Sequence, residues 1–257
     1  MKHIEIAGLQ IEVLDLPATL PGKPPLVLLH EGLGCITMWR DFPQQLAAAT
    51  GHRVVAYSRP GYGQSDPWPE ARTPRYMHRE GEVFLPAVLQ ALGIARPVLI
   101  GHSDGGSIAL IFAGAFPQSP AGLVVMAPHE FVEEETLAGI VAARKIWDET
   151  DWPKRLARYH RDATRVFYDW NDCWLSPAFR DWNIEAFLAK ICCPVLAMQG
   201  REDEYATLRQ IEVIAEQAGD VRLAVLEACG HSPHRDQAAQ VLREKRRWSA
   251  GHPSACR

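Results

Sequence analysis

The chain has 257 residues, of which 47% are hydrophobic, and a formal net charge of -4 at pH 7. This length and hydrophobic content predict a globular protein with one substantial core, and the slightly acidic balance offers no basic surface for nucleic acid or an anionic membrane. The N-terminus lacks the apolar segment of a signal peptide, and no stretch approaches the roughly 20 apolar residues of a membrane span, so we predict a cytoplasmic protein.

Strand-like and helix-like segments alternate along most of the chain. Predicted strands, in chain order, cover residues 4–6, 9–14, 26–29, 53–57, 97–100, 122–127, 194–198 and 221–226. Predicted helices cover residues 39–49, 76–92, 108–116, 207–218 and 237–248. Such alternation favours a mostly parallel sheet with helices on both faces, in which the loops that follow the strands share one edge.

The alternation stops between residues 130 and 190. This region has helical periodicity and no strand-like run, and it holds five of the 8 tryptophans in the chain. We therefore predict a core domain formed by residues 1–129 and 191–257, and a helical insertion at residues 130–190. Residues 249–257 are predicted to be a disordered tail.

The 6 cysteines show no Cys-x-x-Cys spacing. Neither a zinc site nor a disulfide framework is therefore predicted, and no other metal or organic cofactor is implied.

A sharp turn is predicted where the fifth apolar run meets a helix rich in small residues. Residues 101–106 read GHSDGG. In a Gly-x-Ser-x-Gly turn the glycines on either side make room for a strained serine, whose hydroxyl is then raised above the edge of the sheet. The pentapeptide by itself is equally compatible with an ordinary strand-to-helix turn. A nucleophilic role for Ser103 therefore needs a histidine base and a carboxylate.

Two later loops supply these groups at the same predicted edge of the sheet. Asp203 follows the strand at residues 194–198, and His231 follows the strand at residues 221–226. The chain order Ser, Asp, His is the one expected for a nucleophile on such a sheet. Neighbouring residues leave alternatives: Glu202 or Glu204 as the acid, and His234 as the base.

Together these motifs resemble the α/β-hydrolase family over nearly the whole chain. The similarity lies in the GHSDGG turn, in the loop GRED at residues 200–203, in GHSPH at 230–234, in HEGLG at 30–34 and in RPGYGQS at 59–65. The resemblance implies an α/β-hydrolase fold with a helical cap at residues 130–190. It also favours Asp203, by its spacing after Gly200, and His231, which directly follows a glycine.

The resemblance further implies an oxyanion hole formed by the backbone amides of Asp104 and Gly32. Family members usually have glycine after the first histidine of the HEGLG loop, whereas this chain has Glu31. A shift of one residue would place the second amide on Leu33 instead. His30 and His102 are interpreted as buried supporting residues.

Three residues are candidates for substrate contacts. The carboxylate of Asp104 could complement the positive end of the helix that it begins, or it could bind a cationic substrate group, as the resemblance to amino-acid-ester hydrolases implies. His129, at the end of its strand, could reach the pocket or be a plain loop histidine. Most aromatic residues of the insertion are expected to form its core, while a minority, including Trp170, would line an acyl site.

The sequence thus predicts a serine hydrolase that acts on a small carboxylic ester without a cofactor, with no nucleic acid or membrane partner. Amides, amino-acid esters, thioesters and carbon–carbon bonds are alternative substrates for the same three residues. A ligand-binding protein without activity is the alternative from another class. Haloalkane dehalogenase and epoxide hydrolase chemistry are disfavoured. Members of the resembled family with those activities carry aspartate at the position of the nucleophile, where this chain has Ser103.

Overall fold

A central sheet of eight strands organises the molecule, for which a computed structural model describes residues 1–252. The strands are β1 Lys2–Ile6, β2 Leu9–Leu16, β3 Leu26–Leu29, β4 Val54–Tyr57, β5 Val98–His102, β6 Gly122–Met126, β7 Val195–Gly200 and β8 Val221–Leu226. Their order across the sheet is β1-β2-β4-β3-β5-β6-β7-β8. β2 pairs antiparallel with β1 and with β4, and all other neighbours are parallel. The predicted mostly parallel sheet is confirmed.

Helices connect the strands and cover both faces of the sheet. They are α1 Phe42–Thr50, α2 Tyr76–Arg79, α3 Leu85–Ala91, α4 Asp104–Ala115, α5 Glu134–Glu149, α6 Trp152–Leu156, α7 Ala163–Leu175, α8 Glu185–Leu188, α9 Arg209–Gln217, α10 Pro233–Asp236 and α11 Ala238–Gly251. The tail prediction was wrong for residues 249–251, which form the last turn of α11, and for residues 253–257 it lies outside the described part of the chain.

Alternate side chains of the inner strands enter two separate cores. In β3, Val27 and Leu29 belong to the larger core, with side chains of α3 and α4, whereas Leu26 and Leu28 face the smaller core formed with α1 and α11. All four residues of β3 are fully buried. Burial on both faces explains why the inner strands read as continuous apolar runs and show no alternation.

The single helix predicted for residues 76–92 is interrupted. A wide π-type turn, Glu80–Phe84, separates α2 from α3. Pro86 has no N–H group to donate to the carbonyl four residues earlier, so a regular α-helix cannot pass through this segment unbroken. Gly81 in the wide turn lies close against Ile111 of α4, where a larger side chain would collide.

Between β6 and β7 the chain forms α5 to α8. The two ends of this segment lie together, because Phe131 and Asn183 form a β-bridge and the Ile184 amide donates to the Glu130 carbonyl at 2.7 Å. Stacked rings such as Trp147 and Phe167, 4.0 Å apart, fill its interior. The division into a core domain and a cap at residues 130–190 stays a prediction. Among residues 1–252, none of the helices combines the length and hydropathy that a membrane span requires.

Candidate active site

Ser103 lies at the carboxyl end of β5, immediately before α4, in a strained conformation. Its backbone angles are φ 52° and ψ -120°, a region that residues with side chains rarely adopt. A Cβ atom at Gly101 would collide with the Gly105 carbonyl, and one at Gly105 would collide with the Leu29 carbonyl. The two glycines are therefore required for the close approach of β3, β5 and α4, as the turn motif predicted.

The structure brings Ser103, Asp203 and His231 together. His231 Nε2 lies 2.9 Å from Ser103 Oγ, and His231 Nδ1 lies 2.8 Å from Asp203 Oδ1. Because a carboxylate only accepts, Nδ1 carries the proton, and Nε2 is left as the acceptor for the serine hydroxyl. The three groups thus form a continuous hydrogen-bonded relay from carboxylate to hydroxyl.

Asp203 and His231 are held by contacts that no sequence motif indicated. The carboxylate of Asp203 is 1% exposed, and it accepts hydrogen bonds from the Tyr205 amide at 2.9 Å and from Gln199 Nε2 at 3.3 Å. Glu204 Oε2 accepts from the backbone amide of His231 at 3.1 Å. These bonds fix the orientation of the imidazole, so Glu204, which the sequence offered as an alternative acid, contacts the backbone of His231 and not its ring.

Burial and charge have opposite effects on the pKa values of His231 and Asp203. Burial alone would lower the pKa of His231, but the charge and hydrogen bond of Asp203 outweigh it, so the pKa of His231 lies above its ordinary value. Burial likewise would raise the pKa of Asp203, yet the contact with His231 holds it below its ordinary value. Asp203 is therefore ionised at neutral pH.

The alternative acid and base do not enter this relay. Glu202 is exposed to solvent. His234 is buried with its ring 4.5 Å from Trp39 and 4.8 Å from His102, and burial holds its pKa well below the ordinary value. His234 therefore packs against these two rings.

His30 and His102 act as buried supports. His30 donates from Nδ1 to the Glu31 carbonyl at 2.8 Å, and its Nε2 accepts from the Arg59 amide at 3.0 Å. His102 Nε2 donates to the His231 carbonyl at 2.6 Å. The Glu31 carboxylate lies 3.8 Å from His102 Nδ1 and close to Gly34. Burial would raise the pKa of Glu31, but the contact with His102 outweighs that effect and lowers it. Glu31, which stands where the family usually has glycine, is therefore an ionised neighbour of His102.

The carboxylate of Asp104 already has a cationic partner inside the protein. It is 1% exposed, and its Oδ2 accepts from Arg59 Nη2 at 3.3 Å and from the Tyr76 hydroxyl at 2.8 Å. Trp174 Nε1 in turn donates to that hydroxyl at 3.1 Å. A substrate cation would have to displace a buried guanidinium, so these contacts favour a structural role for the carboxylate over recognition of a cationic substrate.

A cavity of about 240 Å³ opens in front of Ser103. Gly32, Leu33 and Asp104 all line it, so both alternatives for the second oxyanion amide lie at the pocket. Trp170 covers Gly32 so closely that a Cβ atom there would collide with the indole ring. His129 also lines the cavity, and burial lowers its pKa to about 3, which keeps it neutral.

An eight-stranded, mostly parallel sheet with a strained serine, a histidine and an aspartate at one edge defines the α/β-hydrolase class. The family model described as alpha/beta hydrolase fold matches residues 24–165. The chain belongs to the α/β-hydrolase family.

Relatives with known names are similar along most of their length. The chain is 24% identical to 2-hydroxy-6-oxo-6-phenylhexa-2,4-dienoate hydrolase of Comamonas testosteroni, covering 85% of each chain. It is 23% identical to proline iminopeptidase of Lactobacillus helveticus, covering 90% of this chain and 91% of the relative. The structure of a meta-cleavage product hydrolase from Pseudomonas fluorescens superposes with a TM-score of 0.77 at 21% identity, over 98% of both chains. These named relatives are hydrolases that differ in their substrates.

Proposed function

We propose that the protein is a serine hydrolase that cleaves small carboxylic esters through an acyl-enzyme intermediate. The observation that carries this proposal is the relay of Asp203, His231 and Ser103, with both hydrogen bonds at 2.8–2.9 Å. A serine hydroxyl is a weak nucleophile at neutral pH, and an oriented histidine base is the arrangement that activates it.

The reaction would proceed in two halves. Ser103 Oγ attacks the ester carbonyl while its proton moves to His231 Nε2, and the amides of Asp104 and Gly32 donate to the oxyanion. Collapse of the tetrahedral intermediate breaks the ester C–O bond, and His231 returns the proton to the departing alcohol. Water then attacks the acyl-serine with His231 again accepting a proton, and the carboxylic acid is released as Ser103 is restored.

The cavity restricts the acyl group. Met38, Leu156 and Trp170 contribute apolar surface to a space of about 240 Å³, below the range of roughly 300–1,000 Å³ typical of ligand pockets. A short or compact aromatic acyl chain fits this description better than a long aliphatic chain.

A panel of p-nitrophenyl esters tests this proposal. We expect kcat/KM for acetate, butyrate and benzoate esters to exceed that for the decanoate ester by about tenfold or more, since extra methylenes have no buried site to enter. Amino-acyl esters and p-nitroanilides serve as comparison substrates. Preference for the decanoate ester would contradict the small acyl site, and absence of any ester cleavage would contradict the ester assignment.

The pH dependence follows from the raised pKa of His231. Only the neutral imidazole accepts the serine proton, so kcat/KM should rise with pH and reach half its plateau above pH 6.5, the ordinary pKa of histidine. A pH series on p-nitrophenyl acetate measures this midpoint. A midpoint well below 6.5, or a rate that falls as pH rises through neutrality, would contradict His231 as the base.

Carbon–carbon bond hydrolysis is the second candidate. The relative from Comamonas testosteroni is named for the substrate 2-hydroxy-6-oxo-6-phenylhexa-2,4-dienoate, and the same three residues could serve carbon–carbon cleavage. Incubation with 2-hydroxy-6-oxo-6-phenylhexa-2,4-dienoate separates the two: a kcat/KM for this compound well above that for every ester in the panel would make carbon–carbon cleavage the main activity.

A further inference from the structure

A second cavity of about 360 Å³ lies beside the candidate active site and shares none of its lining residues. Its walls come from three segments: the loop that follows β4, the helix α2 with Glu80 directly after it, and the first half of α7. Tyr62, Trp68 and Tyr76 line the cavity with aromatic surface. Its volume falls within the range of pockets that hold small organic ligands.

Two guanidinium groups in this wall have unused donors. Arg59 is 1% exposed, and although its Nη2 bonds to the Glu31 carbonyl and to Asp104, its Nε has no hydrogen-bond partner among residues 1–252. Arg72 packs over the rings of Tyr62 and Tyr76, and its buried Nη1 also lacks a hydrogen-bond partner in the described chain. Donors buried without acceptors are costly, so they indicate a place for an acceptor from outside.

Two of the carboxylates around the cavity pair with other arginines, whereas those of Asp104 and Glu80 attract Arg72 from a greater distance. At the rim, Glu70 pairs with Arg79 at 3.1 Å and Asp169 pairs with Arg165 at 3.4 Å. Arg72 forms no ion pair with any carboxylate of the described residues within 4 Å.

The remaining acidic group of the lining is Glu80, whose carboxyl group is attracted by Arg59 and Arg72. Burial raises its pKa in spite of the opposing charge of Arg59, and its Oε1 accepts from Trp68 Nε1 at 3.3 Å. Its Oε2 has no hydrogen-bond partner among the described residues. An anion in the cavity would therefore bind beside Glu80, and Arg59 and Arg72 supply the charge that opposes this carboxyl group.

We propose that this cavity binds a small organic carboxylate with an aromatic body. The carboxylate oxygens accept from the free donors of Arg72 and Arg59, where a planar guanidinium provides the geometry that carboxylates prefer. The aromatic body lies against Trp68 and Tyr76. This site is independent of the proposed ester hydrolysis, although Arg59 links its wall to Asp104, the residue after Ser103.

Isothermal titration calorimetry with sodium benzoate tests the proposal. We expect benzoate to bind the wild-type protein and to bind Arg72→Gln at least about tenfold more weakly, because one charge-assisted contact is worth that factor or more. Arg75→Gln is the matched control, since Arg75 is exposed, pairs with Glu82 at 3.7 Å and does not line the cavity. Arg75→Gln should bind benzoate as the wild type does.

Two further arms define the ligand chemistry. Benzamide, which has the same shape without the charge, should bind at least about tenfold more weakly than benzoate, and inorganic phosphate should also bind more weakly because it lacks the aromatic body. Arg72→Lys, which keeps the charge without the planar fork, should lie between wild type and Arg72→Gln. The proposal is overturned if benzoate shows no binding up to roughly 10 mM, if Arg72→Gln binds it equally, or if phosphate binds as tightly as benzoate. None of these results would contradict the proposed ester hydrolysis, which the p-nitrophenyl ester panel tests separately.

Discussion

Replacing Ser103 by alanine should reduce kcat for p-nitrophenyl acetate by roughly five to six orders of magnitude. Without Oγ there is no acyl-enzyme route, and only binding and oxyanion stabilisation remain to accelerate attack by water. The variant should still fold, because the close approach of β3, β5 and α4 depends on Gly101 and Gly105 and not on the serine hydroxyl. Steady-state rates of purified wild-type and variant protein, with thermal unfolding as a check on folding, measure the effect.

Ser232 provides a matched control for this substitution. It lies in the lining of the same cavity but outside the relay, so Ser232→Ala should keep kcat within about tenfold of wild type. If Ser103→Ala retained most of the wild-type activity while remaining folded, the nucleophile would have to be sought elsewhere.

Replacing Asp203 by asparagine should cost about four orders of magnitude in kcat. The amide can donate to His231 Nδ1, which stabilises the tautomer with the proton on Nε2, and that tautomer cannot accept the serine proton. Loss of the buried carboxylate also removes the charge that raises the pKa of His231, so the residual activity should reach its half-maximum at a lower pH.

Glu202→Gln is the control for the acid, because Glu202 is an exposed acid adjacent to Asp203. Its kcat should stay within about threefold of wild type, as expected for a solvated surface charge. A large loss of kcat in Glu202→Gln together with a small loss in Asp203→Asn would show that Glu202, and not Asp203, is the acid that orients His231.

The position of the three reactive groups was predictable because parallel strands end at one edge of the sheet. Ser103, Asp203 and His231 follow three different parallel strands, β5, β7 and β8, whose carboxyl ends share one edge of the sheet. The same reasoning could not indicate Gln199 or Glu204 as supports, because their hydrogen bonds depend on loop conformations that no short motif specifies.

The interior of the site differs from what local sequence could show. The helix-dipole and substrate-cation interpretations of Asp104 both relied on its neighbours along the chain, whereas its partners Arg59 and Tyr76 come from other loops and meet it only in the folded protein. The wide turn at residues 80–84 has a local cause in Pro86, but the spacing of apolar residues continued through it and predicted one helix. Periodicity reports which face is buried, and it is insensitive to one additional residue in a turn.

Labelling with a fluorophosphonate, followed by peptide mapping by mass spectrometry, tests the central claim most directly. The reagent forms a covalent bond with a serine only when that serine is activated as a nucleophile. We predict stoichiometric modification of Ser103 in the wild-type protein and none in the Ser103→Ala variant. An unmodified wild-type protein, or modification at another serine, would contradict the assignment of Ser103 as the nucleophile and would favour a protein that binds its ligand without cleaving it.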